Sequence, residues 1–365
     1  MATRVLVLGA GSGPGNNLMR SLMKGDPSLE VVGSHTDRFA LRKSIAPENF
    51  PLPLAEHAFV RDLNRIAGAQ RMDLVIPNSQ LDVEKLSRLR DRLECRLFLP
   101  RRELIELCQD KYRLTEFLSQ RGLRVPATYP VTSVKDLGGV FRRLRPAAQV
   151  WCRMRKGTGS AAAIPVTSVA QARWWIRYWE EMRRIPPGSF TLSEYLPGRD
   201  FTVQCLLKDG RRIMAKMHQR LEYHVVGGAP SGVSSSAALA KMVLDPAAMA
   251  QSTDAILALD PRASGVFFVD LKEDAGGKAC ITEINAGRFA NVPTIHDQVG
   301  RDNMAIAYVR LALGEPVEAG EPQEYPDDCY VLRGIDTLPA VAYGRELRNE
   351  WAGVGALSET RDVRS

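Results

Sequence analysis

The chain has 365 residues, 45% of them hydrophobic, and this length predicts two or three domains with separate cores. The net charge of +7 comes from interspersed acidic and basic residues, as in "RDRLECRLFLPRREL" (90–104), so we expect basic pockets for anions and no nucleic-acid partner. The six cysteines lack the spacing of zinc ligands, no apolar run approaches the about 20 residues of a membrane span, and the first residues lack the pattern of a secretion signal. Composition therefore predicts a cytoplasmic protein without a membrane partner.

Residues 1–105 have the pattern of an α/β domain with a doubly wound parallel sheet. Buried strands are predicted for the apolar runs at 4–8, 29–35 and 73–79. Leucines at helical spacing predict a helix over 83–93. The first strand enters the glycine cluster "GAGSGPG" (9–15), which does not match the G-x-G-x-x-G/A fingerprint and so disfavours an NAD-dependent dehydrogenase. A tight turn before a helix is favoured, with a substrate anion at the helix N-terminus left open.

Residues 106–190 are predicted to form a small lid subdomain. One helix is expected over 104–122 and another over 169–184, with Trp175 and Trp179 of the second packed inward. The loop "RKGTGSAAA" (155–163) follows an apolar segment that contains Arg153. Small residues let backbone N–H groups approach phosphate oxygens, and Arg153 adds positive charge. The segment therefore indicates an anion-binding loop, although it is not a P-loop.

Residues 191–320 are predicted to form the larger lobe, followed by a C-terminal extension at 321–365 with a polar tail. The predicted elements are a strand pair at 190–196 and 200–210, a glycine- and serine-rich loop at 227–236 that is either mobile or ligand-covering, a hairpin at 265–285 and a helix at 303–314. Asp209-Gly210 predicts a hairpin turn, after which the chain returns as a further strand.

The hairpin at 265–285 carries polar residues where a buried strand should be apolar. Glu283 and Asn285 are two residues apart, so they lie on one face, and Asp270 can reach that face from the adjoining strand. An unpaired carboxylate would be costly to bury. Carboxylate and amide oxygens suit Mg²⁺, which completes its shell with water and phosphate oxygens. The three residues therefore predict a magnesium site.

A Pro-Gly turn separates Glu194 from Asp200 in "SEYLPGRDF" (193–201). A carboxylate beside such a turn can hydrogen-bond a ribose hydroxyl, and the adjoining backbone can hydrogen-bond the edge of adenine. Taken alone, the pattern favours a solvated turn.

Taken in order, these segments resemble the ATP-grasp superfamily over about residues 1–315. The matching motifs are Asp110-Lys111 followed by Gly122 and Pro126, a basic residue before a glycine loop, the hinge "EYLPGRD" and the metal pair E-x-N. The resemblance implies α/β and α+β architecture, with an N-terminal pre-ATP-grasp domain followed by a two-lobed ATP-grasp domain. It implies ATP contacts for Lys111, Arg153, Gly157, Gly159, Ser160, Glu194, Tyr195, Leu196 and Asp200, and metal contacts for Asp270, Glu283 and Asn285.

The variant that the sequence most resembles is one grasp unit of the large subunit of carbamoyl phosphate synthetase, which shares the arginine at the Arg153 position. The chain has room for one unit, so we do not expect it to make carbamoyl phosphate by the complete route. Gly287 departs from the pattern of many members, because it displaces Arg288 by one residue from the E-x-N motif.

The resemblance implies an ATP- and Mg²⁺-dependent carboxylate–amine ligase, with Mn²⁺ as an alternative ion. Such an enzyme forms an acyl phosphate that an amine attacks, and it releases ADP and phosphate; amino acids or a specialised metabolite are the expected small-molecule substrates. Arg220 and Arg288 are candidate catalytic residues that would clamp the carboxylate or the acyl phosphate, and a structural salt bridge is an equal alternative for Arg220. His218 and His224 are candidate bases, with an exposed or core position as the commoner alternative.

Two further functions are left open by the sequence. One is a carboxy-phosphate- or carbamate-forming enzyme related to carbamoyl phosphate synthetase, and the other is a non-catalytic nucleotide-binding protein. The complete set of Asp270, Glu283 and Asn285 argues against the second, because a binder without turnover has less need of all three. A homodimer is left open.

Overall fold

The computed structural model describes residues 2–144, 148–157, 159, 162–224, 237–320, 325, 328–334 and 337–343. Ser160 and the loop predicted at 227–236 therefore lie outside the described residues. The strands within them are β1 Arg4–Leu8, β2 Glu30–His35, β3 Glu48–Pro51, β4 Leu74–Ile76, β5 Thr128–Pro130, β6 Val150–Met154, β7 Ile164–Val166, β8 Phe190–Glu194, β9 Asp200–Lys208, β10 Arg211–Tyr223, β11 Ala237–Met242, β12 Gly265–Glu273, β13 Ala279–Ala286, β14 Cys329–Leu332 and β15 Ala340–Tyr343.

The helices connect and cover these strands. They are α1 Gly13–Gly25, α2 Arg38–Leu41, α3 Glu56–Ala69, α4 Gln80–Leu89, α5 Arg102–Gln109, α6 Lys111–Ser119, α7 Leu137–Leu144, α8 Val169–Arg183, α9 Pro246–Leu259, α10 Asn291–His296 and α11 Met304–Leu313, with short 3₁₀ turns at Arg90–Arg92 and Pro187–Ser189. None of the helices in the described ranges is both long and apolar enough to cross a bilayer.

The N-terminal sheet has the strand order β3-β2-β1-β4, and all of its neighbours are parallel. Strand β1 leads into α1 through a glycine turn, which Ser12 closes by accepting a hydrogen bond from the Gly15 amide at 3.1 Å. Gly11 has φ +82°, and a Cβ there would lie 1.7 Å from the Ala40 carbonyl oxygen. Only glycine fits this position, so the predicted tight turn is confirmed.

The central sheet has seven strands in the order β13-β12-β9-β10-β11-β14-β15, and each pair of neighbours is antiparallel. It contains the predicted hairpin β12–β13 and the predicted turn at Asp209-Gly210, where both residues have positive φ. The predicted polar tail is wrong in part, because β14 and β15 extend the edge of this sheet. Apolar side chains cover one face of the sheet and pack against α5, α6 and α9.

A separate four-stranded sheet, β5-β8-β6-β7, forms the small lobe with α7 and α8. The sequence prediction that the strands at 190–196 and 200–210 pair is wrong, because β8 pairs with β5 and β6 while β9 belongs to the central sheet. The turn between them crosses from one sheet to the other. Trp175 is 5% exposed and Trp179 packs against the same core, so the predicted inward packing is confirmed.

The single helix predicted over 104–122 is two helices, α5 and α6, which are separated by Asp110. The backbone of Asp110 is extended, and its carboxylate accepts hydrogen bonds from the Tyr112 and Arg113 amides. An aspartate at this position caps a helix better than it continues one. The same carboxylate accepts two hydrogen bonds from Arg155, at 2.8 and 3.2 Å, which tie α6 to the start of the glycine loop.

Candidate functional site

Two rows of polar side chains cross the second face of the central sheet. The first row consists of Lys272, Asp200 and Arg220 on β12, β9 and β10. The second row consists of Glu283, Asp270, Thr202 and His218 on β13, β12, β9 and β10. Directly opposite residues have Cβ atoms about 4.5–5.5 Å apart. The register of the sheet therefore places each side chain of a row within reach of the next one across the strands.

A cavity of about 630 Å³ opens over these rows, within the size range of small-molecule sites. Its walls come from both lobes of the grasp region, from the N-terminal glycine turn at Ser12 and Pro14, and from the segment 78–81 after β4. The predicted site residues on its wall are Lys111, Arg153, Gly157, Gly159, Glu194, Tyr195, Leu196, Asp200, Arg220, Asp270, Glu283, Asn285 and Arg288. Apart from the candidate base His224, every predicted site residue that the structure describes thus lines one cavity.

The end of the cavity next to the glycine loop is strongly basic. Lys111 is the first residue of α6; its Nζ donates a hydrogen bond to the Gly157 carbonyl at 2.9 Å and lies 3.7 Å from the Glu283 carboxylate. Burial lowers the pKa of Lys111, and the negative charge of Glu283 opposes that shift. Arg153 donates to the Thr282 carbonyl at 3.0 Å from β6. Two cations, Lys111 on α6 and Arg153 on β6 of the small lobe, therefore reach the polar strand β13.

The glycine loop itself needs glycine at the two positions the structure describes. Gly157 has φ +130° and Gly159 has φ +72°, conformations that other residues rarely adopt. Glycine also leaves the loop amides open to a close approach by phosphate oxygens.

The candidate metal ligands lie side by side at the β12–β13 edge. Asp270 is directly opposite Glu283, and Asn285 follows on the same face. Burial raises the pKa of Asp270; Arg220 opposes this effect and the charge of Glu283 adds to it. Within the described ranges, no group of three or more His, Cys, Asp or Glu side chains is placed to hold a metal. Two carboxylates and an amide fit Mg²⁺ only if phosphate and water oxygens complete the shell.

Each of these three oxygen donors already contacts a cationic side chain. The contacts are Arg220 to Asp270 at 2.5 Å, Lys111 to Glu283 at 3.7 Å and Arg288 to Asn285 at 2.6 Å. A divalent cation with bound phosphates would therefore replace these cationic side chains at the three oxygen donors. The released side chains would then pair with the phosphate anions.

The hinge residues lie at the join between the lobes. The Glu194 amide donates a hydrogen bond to the Ala127 carbonyl at 2.8 Å, and the exposed Glu194 carboxylate accepts one from the Ala127 amide at 3.4 Å. Leu196 is 5% exposed, and the ring of Tyr195 lies 6.4 Å from that of Trp151. An apolar wall with exposed backbone groups beside it is suited to a planar base.

Arg220 connects Asp200, the predicted hinge acid, to the candidate metal ligand Asp270. Its guanidinium donates to Asp200 at 3.0 Å, to Asp270 at 2.5 Å and to Thr202 Oγ1 at 2.7 Å. Burial lowers the pKa of Arg220, but the two carboxylates outweigh burial and raise it overall. Asp200 also accepts a hydrogen bond from Tyr223. In this conformation Arg220 forms salt bridges, which is one of the two alternatives that the sequence left open. To hold a substrate carboxylate instead, Arg220 would have to release one of the two aspartates.

Gly287 accounts for the position of Arg288. It has φ +84°, and its amide donates to the Val266 carbonyl at 2.8 Å. This left-handed residue turns the chain at the end of β13, so that the Arg288 guanidinium returns to Asn285 and lies 4.6 Å from the centre of the Phe268 ring. The shift of one residue along the sequence therefore still leaves Arg288 on the wall of the cavity.

The sequence matches no protein-family profile and no curated protein sequence. Solved structures share the fold over most of the chain. The L-amino acid ligase from Bacillus licheniformis is 14% identical with a TM-score of 0.67, covering 90% of this chain and 78% of that one. N5-carboxyaminoimidazole synthetase from Staphylococcus aureus is 14% identical with a TM-score of 0.66, covering 91% and 82%. The biotin carboxylase domain of the Hydrogenobacter thermophilus 2-oxoglutarate carboxylase, solved with MgADP and bicarbonate, is 13% identical with a TM-score of 0.65, covering 90% and 73%.

The chain has the ATP-grasp fold. This confirms the predicted fold class, with a parallel N-terminal sheet followed by two antiparallel sheets that face one cavity. The identities are low, so the similarity concerns the fold, and the roles of individual residues and the domain boundaries stay predictions.

Several residues of the ATP-grasp cavity were missed from the sequence. Asn78 donates to the Pro14 carbonyl at 2.9 Å and accepts from the Phe289 amide at 3.2 Å, so it joins the glycine turn to the end of the metal strand. Asn78 could have been found from its position just after the apolar run of β4, because the carboxyl ends of parallel strands carry ligand sites. Arg333, after β14, could not be found, because the polar tail gave no reason to expect it at the cavity.

Proposed function

We propose that the protein is an ATP- and Mg²⁺-dependent carboxylate–amine ligase that acts on amino acids through an acyl phosphate. One observation carries the proposal: side chains from both lobes, predicted from four separate motifs, line the same cavity and alternate in charge around Asp270 and Glu283. The ATP-grasp fold is consistent with this reaction, and one protein with the same fold is an L-amino acid ligase.

In the proposed reaction, a carboxylate oxygen attacks the γ-phosphorus of ATP and ADP leaves. An amine nitrogen then attacks the acyl carbon and phosphate leaves, with the loss of one proton. No nucleophilic side chain of the protein is needed.

The side chains have separate tasks in this scheme. Lys111 and Arg153 hold the phosphates, and Asp200 holds the ribose. Arg220 and Arg288 hold the acceptor carboxylate and then the acyl phosphate by charge-assisted hydrogen bonds. Asp270, Glu283 and Asn285 would hold Mg²⁺, which when bound neutralises phosphate charge and aligns the transferred group.

The test is ADP release from ATP and Mg²⁺ with the standard L-amino acids, singly and in pairs, together with mass spectrometry of the products. We expect ADP release that requires an amino acid, and a product lighter by one water than the two reactants together. ATP turnover that no amino acid stimulates would contradict the proposal.

A carboxy-phosphate-forming enzyme is the second candidate, because a protein solved with MgADP and bicarbonate has the same fold. The same assay separates the two. Bicarbonate alone would stimulate ADP release from the second kind of enzyme, whereas the ligase requires an amino acid.

A further inference from the structure

His218 is a buried, polar side chain on the wall of the cavity, and no motif predicts its role. It is 3% exposed, and its Nδ1 has no hydrogen-bond partner among the described residues. Buried polar atoms in folded proteins are almost always hydrogen-bonded, so an unpartnered one needs an explanation. A bound substrate that supplies the missing partner is such an explanation.

The position of His218 relates it to the site of the acyl phosphate. In the second polar row it is separated from Asp270 by Thr202 alone, which is a distance of two strand spacings. With strands about 4.8 Å apart, the two backbones are about 10 Å from each other. This gap accommodates an acyl phosphate near the metal ligands and a nucleophile beside the imidazole.

Burial, helped by nearby positive charge, keeps this imidazole in its neutral form. Burial lowers the pKa of His218 well below its usual value, and Arg220 and Arg333 add to the effect. Its neighbours across the strands, Thr202 and Met242, carry no charge. A neutral imidazole has a lone pair on one ring nitrogen and can accept a proton. The same positive surroundings disfavour an ammonium ion, so an amine would bind there in its neutral, nucleophilic form.

We propose that His218 is the base that takes the proton from the attacking amine. The inference rests on the proposed ligase reaction. As the nitrogen lone pair forms the C–N bond, the nitrogen becomes positive and its protons become acidic. The C–O bond to phosphate breaks, phosphate leaves with that electron pair, and one proton moves from nitrogen to the imidazole. His218 then returns the proton to solvent.

The structure separates His218 from the other candidate, His224. His224 directly follows β10 and is not among the described residues that line the cavity. It therefore provides a matched control, a histidine from the same segment of chain outside the catalytic and binding machinery.

The experiment compares two nucleophiles on the same enzyme. ATP, Mg²⁺ and the standard L-amino acids are supplied with or without hydroxylamine, and we measure hydroxamates by their iron complex and dipeptides by mass spectrometry. Hydroxylamine is neutral at the assay pH and needs little help from a base, so the hydroxamate rate reports formation of the acyl phosphate. His218→Gln should lower dipeptide formation about 10²–10⁴-fold, the usual contribution of a general base. Its hydroxamate rate should stay within a few fold of wild type.

His218→Asn, which shortens the side chain, should give the same pattern, and His224→Gln should leave both rates unchanged. Equal losses of both rates in both His218 variants would indicate a structural role and overturn the inference, as would unchanged dipeptide formation. A wild-type enzyme that forms no hydroxamate would instead contradict the ligase proposal itself.

Discussion

The oxygen donors at one end of the cavity and the imidazole at the other differ in how they are paired. At the metal end, Asp270, Glu283 and Asn285 each contact a cationic side chain of the protein. At the other end, the Nδ1 of His218 has no hydrogen-bond partner within the described part of the chain. The E-x-N motif of the sequence maps to the first end, and no motif of the sequence includes His218.

In the proposed reaction, this difference matches two kinds of ligand. A nucleotide with a metal brings charges of both signs, so a site with internal ion pairs can exchange each pair for a ligand contact without leaving a buried charge uncompensated. A neutral amine brings hydrogen-bonding groups alone, so its site can hold an unpaired polar atom and no opposing charge. Substitutions at the two ends should therefore fail in different ways.

The largest expected effect is at the metal end. Glu283→Gln removes one carboxylate from the donor set, and we expect Mg²⁺-dependent ATP turnover to fall by at least about 100-fold, since even residues that only support metal ligands contribute about 10–100-fold. Stimulated ADP release measures the loss, and circular dichroism checks the fold.

Glu222→Gln is the matched control, because Glu222 is an exposed glutamate on β10 that does not line the cavity. It should retain wild-type turnover. Full activity in the Glu283 variant would show that the metal site lies elsewhere.

The second prediction concerns the ion pairs themselves. Arg220→Met leaves Asp200 and Asp270 without their shared cation, and removing one partner of a buried pair is strongly destabilising. We expect the free energy of unfolding in urea, without nucleotide, to fall by about 3 kcal/mol. Arg211→Met, at the exposed start of the same strand, should change it by less than about 0.5 kcal/mol.

A double-mutant cycle sharpens this test. Asp270→Asn removes one of the two charges that Arg220 compensates, so the double variant should be more stable than Arg220→Met alone. A double variant that loses the sum of the two single losses would show that the pair contributes no coupling, and the description of the metal end as internally paired would be wrong.

Much of the fold could be predicted because its signals are local. Apolar runs specified β1, β2 and β4, and a two-residue turn specified the return of β9 into β10. The pairing of β8 could not be predicted, since a Pro-Gly turn can either close a hairpin or pass between sheets, and distant strands decide which. The short strands β14 and β15 depend on the sheet edge that they join, because strand preference is largely set by neighbours.

The candidate site was likewise predictable where its signals are local and not where they depend on distant strands. Asp270 and Glu283 were predictable because polar residues at alternate positions of an apolar strand share one face. The partners of Arg220 in its salt bridges, Asp200 and Asp270, could not be predicted. These contacts depend on the register of three strands that are up to 70 residues apart in sequence. The prediction of a single helix over 104–122 failed for a local reason. An aspartate within a helical pattern can cap a new helix, and Asp110 caps α6.

The smallest expected effect concerns the turn that places Arg288. Gly287→Ala puts a side chain on a left-handed residue, which costs about 1–2 kcal/mol, and its Cβ would lie 3.0 Å from both Leu99 and Val83. Gly277→Ala is the matched control, because Gly277 has a similar φ of +73° but open space around its Cβ. Both variants should lose stability in urea unfolding because of the left-handed backbone, and Gly287→Ala should lose more.

Turnover should fall in the Gly287 variant alone, because relief of the contact with Val83 and Leu99 moves Arg288 away from Asn285. Equal turnover in the two variants would mean that the position of Arg288 does not depend on this turn.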